Sequence, residues 1–158
     1  MIERTVPLPT RRATKLLARA IGRQVVPGDL VVLSGPLGSG KTFFVRAVCR
    51  SLGLGSAVRV TSPTYTLVHE YETVPPLVHA DLYRLNAPDD RAAVDDATVL
   101  ALAEQRSEGR VLFVEWGTRF VQALGGDAVV IDFDVSPRSA TLTATGERSR
   151  DCVERLQL

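Results

Sequence analysis

The sequence predicts a single α/β domain over residues 1–158, with a mixed parallel and antiparallel central sheet flanked by helices and a C-terminal β-hairpin. Three observations predict it. Leu30–Ser34 and Val111–Val114 are short, apolar and β-branched, as expected of strands buried on both faces. Segments with helical spacing alternate with these strands. A Gly-rich stretch joins the first strand to the helix that follows it. At 158 residues, 45% hydrophobic and 23% charged, the chain can bury one core and is not of disordered composition.

The first helix is expected over Thr10–Ile21, with Ala13, Leu16, Leu17, Ala20 and Ile21 forming one buried stripe. Thr10 is its N-cap, and Pro27-Gly28-Asp29 closes the unit with a turn. After the strand Leu30–Ser34 comes a second helix with Phe44, Val45, Val48 and Leu52 inward, stopped by Gly53 and Gly55. Extended segments follow at Val58–Thr61, Tyr65–Glu72 and Leu77–Ala80. An acidic stretch from Asp89 to Glu108 has helical spacing at Val94, Leu100 and Ala101. Ile131, Phe133 and Val135 alternate with Asp132 and Asp134, and Ser136-Pro137-Arg138 leads into Ala140–Thr145, which makes a hairpin with one wet face. Arg150–Leu158 reads as a short terminal helix.

Several function classes are excluded. No apolar run approaches the roughly 20 residues that span a bilayer, so no membrane partner is expected. Met1–Pro7 lacks an apolar signal core, and the expected location is cytoplasmic. Cys49 and Cys152 have no paired spacing, against a zinc site or a disulfide scaffold. The net charge of +1 hides an asymmetry. Residues 1–61 carry ten basic and two acidic side chains, whereas residues 62–135 carry five basic and thirteen acidic. Arg11, Lys15, Arg19 and Arg23 recur every four residues as a basic stripe along the first helix, either its solvated back or an electrostatic dock.

Chemistry enters at Gly35, Pro36, Leu37, Gly38, Ser39, Gly40, Lys41 and Thr42, which match G-x-x-x-x-G-K-[ST] between a strand and a helix. Glycines let successive N–H groups turn toward phosphate oxygens, and the helix N-terminus adds its dipole to the same anion. Lys41 supplies a point charge for the β- and γ-phosphates, and the Thr42 hydroxyl a Mg²⁺ ligand. Such a site needs a carboxylate at the end of a neighbouring buried strand. Glu115 follows Val111–Val114, and Asp81 ends Leu77–Ala80. Both are candidate metal and catalytic residues beside Lys41. No N-K-x-D string occurs, so a guanine reader is not expected. Arg84 and Arg119 are candidate arginine fingers, with paired surface arginines as the plainer reading. His79 reads mainly as a structural hydrogen-bonding group, His69 as surface and Cys49 as core filler.

Four strings, GPLGSGKT at 35–42, SPTYTLVHEY at 62–71, HADLYRL at 79–85 and VEW at 114–116, together resemble the TsaE (YjeE) family of small bacterial P-loop ATPases. The likeness runs from Val6 to Trp116. It implies ATP and Mg²⁺ as cofactors, and a role in making threonylcarbamoyladenosine in tRNA with a TsaD–TsaB pair as partner, tRNA being reached indirectly. It further implies that Lys41 and the loop amides bind phosphates, that Thr42, Glu115 and Asp81 serve the metal, and that the loop around Thr64 senses the γ-phosphate. Trp116 would stand beside the site, and Thr10 and Arg11 near the adenine. Three departures from the family pattern stand out: Phe43 where a second Thr is usual, Pro36 where Asp is common, and an unfamiliar stretch from Asn86 to Gly109. A small-molecule P-loop kinase and a nucleotide-sensing adaptor with little hydrolysis are the alternatives.

Overall fold

The computed structural model describes residues 2–63, 67–86 and 92–158. Its centre is β2 (Leu30–Ser34), whose side chains are buried on both faces of the sheet. Parallel neighbours flank it, β5 (Val111–Glu115) on one side and β6 (Val129–Val135) on the other. Beyond β5 lie β4 (Leu77–Asp81), parallel, and β3 (Val68–Tyr71), antiparallel at the edge. Beyond β6 lie β7 (Arg138–Ala144) and β1 (Glu3–Pro7), both antiparallel to their neighbours. The seven strands therefore run β1-β7-β6-β2-β5-β4-β3, the expected mixed sheet.

Helices cover both faces. The helices α1 (Arg11–Gln24), α2 (Lys41–Ser51) and α4 (Glu147–Glu154) pack on one face, around Val31, Leu33, Phe44, Phe113 and Ile131. The other face, with Leu30, Val32, Leu112 and Val114, is covered by α3 (Ala92–Ser107) and a short turn of helix at Thr118–Phe120. Alternating residues of β2 thus serve two cores, which is why the segment reads as continuously apolar.

Local signals hold at most boundaries. Thr10 caps α1, accepting the Ala13 N–H at 3.1 Å. Gly53, at φ +94°, ends α2 as expected, whereas Gly55 is not left-handed. Four expectations are corrected. In α1 Leu17, Ala20 and Ile21 are buried as expected, but Leu16, assigned to the same stripe, is 48% exposed, and Thr14 and Ala18 face inward in its place. In α3, Leu100 is 61% exposed and Ala101 is also outside, while Val99 and Leu102 are buried; the side chain of Val94 lies outside the described residues. Val58–Thr61 is loop, not strand, held by Arg46, which donates to Val60 O, and by Arg50, which donates to Val58 O. The last helix begins at Glu147, three residues before the expected start. The terminal hairpin forms as expected, with Ile131 and Phe133 buried, though Val135 is 46% exposed at its tip. Among the described residues no helix is long and apolar enough to cross a membrane.

Candidate functional site

The parallel strands β2, β5 and β4 all end at the same edge, where open α/β sheets bind their ligands. The loop from Gly35 to Gly40 leaves β2 there and enters α2. Its curl depends on glycine. Gly35 has φ +125°, and a Cβ on it would lie 2.5 Å from Phe133 O. Gly40, at φ +105°, is the N-cap of α2 with no side-chain cap, so the first N–H groups of that helix are left for a ligand.

Lys41 opens α2 with its ammonium folded back onto the loop. Nζ donates to Gly35 O at 2.6 Å, Pro36 O at 3.0 Å and Ser39 Oγ at 3.4 Å. It also lies 4.5 Å from the centre of the Trp116 ring. Burial pushes the Lys41 pKa down, and the charges of Glu115, Asp81 and Asp132 oppose that push without cancelling it. The buried cation is therefore short of negative charge, and an arriving anion would relieve it. Pro36, which lacks an N–H, contributes through its carbonyl, which also accepts the Ser39 N–H at 3.1 Å.

The two strand-end carboxylates are cross-strand neighbours, Asp81 in β4 opposite Glu115 in β5, and both are nearly buried. Thr42 Oγ1 donates to Glu115 Oε1 at 2.8 Å, and the His79 imidazole reaches the same oxygen from β4, also at 2.8 Å. Asp81 is bound differently. Its Oδ2 accepts from Ser62 Oγ at 2.9 Å and its Oδ1 from the Tyr83 N–H at 2.9 Å. The Asp81 backbone N–H donates to Leu67 O, so the residue meets the chain on both sides of Thr64, by its carboxylate at Ser62 and by its backbone at Leu67. Thr64 itself lies outside the described residues.

These groups line one cleft of about 410 Å³, with Leu37, Gly38, Gly40, Thr42, Asp81 and Glu115 among its walls and Phe43, Tyr83 and Trp116 at its aromatic side. Gly35, Pro36 and Ser39 stand behind that wall, as acceptors for Lys41. Trp116, at φ +59°, is held by its N–H to Leu33 O and by Asn86 Nδ2 to its carbonyl, and packs edge-on against Tyr83. Arg11 stacks over the Phe43 ring at 5.8 Å, which brings the start of α1 to the rim, while the Thr10 hydroxyl is engaged in capping.

Of the two candidate arginine fingers, Arg119 stacks on Phe120 at 4.8 Å and Arg84 lies on the exposed turn Tyr83–Asn86. An arginine that reaches the phosphate loop is Arg138, at the hairpin tip, whose Nη2 donates to Ser39 O at 3.2 Å. Nothing in the local sequence signals it, because the approach depends on β6 pairing with β2. Asn86 is likewise a contributor that the sequence leaves unmarked, whereas Ser62, at the start of the loop expected to sense the γ-phosphate, donates to Asp81. Arg106 is fixed at the opposite end of the sheet, donating to Gly28 O, Leu124 O and Asp127 O. Cys49 is fully buried, and burial pushes its thiol up to about 12, as befits core filler.

The donor set suits a divalent cation of the magnesium type: a hydroxyl and carboxylates, hard oxygen donors beside a loop shaped for phosphate. Among the described residues no group of three or more His, Cys, Asp or Glu side chains is placed to hold a metal ion by itself.

Comparison with known proteins points to one family. The family model described as "Threonylcarbamoyl adenosine biosynthesis protein TsaE" matches residues 8–143, which carries the likeness past Trp116 and through the terminal hairpin. A tRNA threonylcarbamoyladenosine biosynthesis protein TsaE from Streptomyces coelicolor is 36% identical over 142 residues, covering 84% of this chain and 90% of that one. The protein of the same description from Bacillus subtilis is 33% identical, covering 90% and 87%. Among solved structures, that of Bacillus subtilis YdiB superposes with a TM-score of 0.73 at 28% identity, over 97% of this chain and 93% of that one.

Proposed function

The chain belongs to the TsaE family of tRNA threonylcarbamoyladenosine biosynthesis, and we propose that it is the Mg²⁺-dependent ATP-hydrolysing subunit that energises turnover of a TsaD–TsaB pair. One observation carries this reading: Lys41, Thr42, Glu115 and Asp81 converge on one cleft at the mouth of a phosphate-shaped loop. The amides at the start of α2 and the ammonium of Lys41 hold the phosphates. The Thr42 hydroxyl donates a hydrogen bond to Glu115, which leaves its lone pairs free for a cation. Magnesium, when bound, would supply positive charge to the phosphate oxygens as a P–O bond breaks. Glu115 and Asp81 would hold water for that ion. Through Ser62, Asp81 also links the site to the loop that bears Thr64. Adenine would lie toward the Arg11–Phe43 rim.

The TsaD–TsaB pair is the proposed partner, with tRNA reached through it and the cytoplasm as the compartment. The decisive measurement is phosphate release from ATP with Mg²⁺, with and without that pair. Slow release alone and faster release with partners is expected. A phosphorylated small-molecule acceptor formed without partners would instead identify a kinase. Tight ATP binding with no release under either condition would identify an adaptor.

A further inference from the structure

We propose that His79 is a positioning residue that fixes the rotation of the Glu115 carboxylate from the buried side of the sheet. The proposal rests on the ATP and Mg²⁺ reading above and assigns a role to a side chain that reading does not use.

His79 lies in β4, two residues before Asp81, and is fully buried. Its cross-strand partner is Phe113, so it shares a face with Asp81 and Glu115 and stands diagonally behind Glu115. A carboxylate can only accept, so the 2.8 Å contact to Oε1 requires a proton on His79 Nε2. Thr42 Oγ1 donates to the same Oε1. The last torsion of a glutamate is broad and roughly two-fold, so a strand position alone leaves its oxygens interchangeable. Two donors, one from α2 and one from β4, remove that freedom by claiming one oxygen. Among the described residues no donor reaches Oε2, and Glu115 lines the cleft. Oε2 is therefore the oxygen presented to the cation's water shell.

The other ring nitrogen strengthens the case. His79 Nδ1 is buried and has no hydrogen-bond partner among the described residues. An apolar side chain here would spare the fold that unsatisfied atom. The bond to Glu115 is the one polar contact that accounts for an imidazole at this place.

Two amide variants separate positioning from mere packing, because they differ in reach. In His79→Gln the amide nitrogen extends about as far as Nε2, whereas in His79→Asn it stops near the position of Nδ1. Affinity for a fluorescent ATP analogue is measured in EDTA and in Mg²⁺ for the full chain. The wild type is expected to bind more tightly in Mg²⁺. His79→Asn is expected to lose about tenfold or more of that Mg²⁺-dependent tightening, with affinity in EDTA unchanged, and His79→Gln to retain most of it. Long-range ¹H–¹⁵N NMR of the ligand-free protein is expected to show the Nε2–H tautomer. An Nδ1–H tautomer overturns the proposal. So does an Asn variant that keeps the full Mg²⁺ effect, a Gln variant no better than Asn, or equal losses in EDTA and Mg²⁺. A wild type with no nucleotide binding or no Mg²⁺ effect overturns instead the ATP reading beneath it.

Discussion

Lys41 and Glu115 divide binding from chemistry at the level of single side chains. Lys41→Ala removes the ammonium that the loop carbonyls hold in place, and nucleotide binding is expected to fall below detection by calorimetry. Glu115→Ala leaves the loop amides intact, so binding should persist while phosphate release drops by about 10²-fold or more. Turnover at the wild-type rate in that variant would falsify the metal assignment. Gly35 is a test of the backbone. Alanine there meets Phe133 O and must adopt a left-handed φ, so Gly35→Ala should cost about 1–3 kcal/mol in urea denaturation and weaken nucleotide binding with it. These residues are legible because each sits in a compact motif, the phosphate loop or a strand end. Arg138 and Asn86 are not, since each reaches the site from a distant segment.

Helix faces show where periodicity misleads. In α1 and α3 the apolar spacing takes in Leu16 and Leu100, which face outward, although Leu17, Ala20 and Ile21 of the same α1 stripe face inward. The sheet decides, because helix rotation is set by which stripe fits the alternating side chains beneath it. Leu102→Ala is therefore expected to destabilise by about 2–5 kcal/mol, and Leu100→Lys to stay within about 0.5 kcal/mol, both by denaturant unfolding. On α1 the exposed side carries Arg11, Lys15, Arg19 and Arg23 with no acidic residue in the first turn. None of the four takes part in the ion pairs found among the described residues. Replacing Arg19 and Arg23 with Glu should leave stability within about 0.5 kcal/mol. If this ridge docks an acidic partner surface, the same change weakens partner binding most at low salt; unchanged affinity across salt would sink the docking idea.

Over the whole molecule, the class of fold, the two buried strands and the phosphate loop could be read directly, because burial on both faces and a glycine-rich turn leave strong local marks. Strand order could not, since the pairings of β1 with β7 and of β6 with β2 join segments far apart in the chain. The end of the sheet away from the cleft is tied by Asp127, which accepts the Arg148 and Ser149 N–H groups at the start of α4. Burial alone would raise the pKa of Asp127. The Ser149 hydroxyl, those two N–H groups and the Arg106 charge outweigh it and hold the carboxyl below the ordinary 3.8. Its stabilising effect is thus present above that value and lost as pH falls through the lowered pKa. Asp127→Asn should lower the melting temperature at pH 6, and the gap from wild type should close as the pH is taken down toward 3. The pairing of β1 with β7 has one more consequence, which concerns time. A ribosome makes the chain from its amino end, and residues 3–7 find their partner only among residues 138–144. Gly35 likewise abuts Phe133, and Ser39 is held by Arg138. Neither β1 nor the phosphate loop can complete these contacts until residues 133–144 have emerged, so a nascent chain cannot hold nucleotide in its finished cleft before that point.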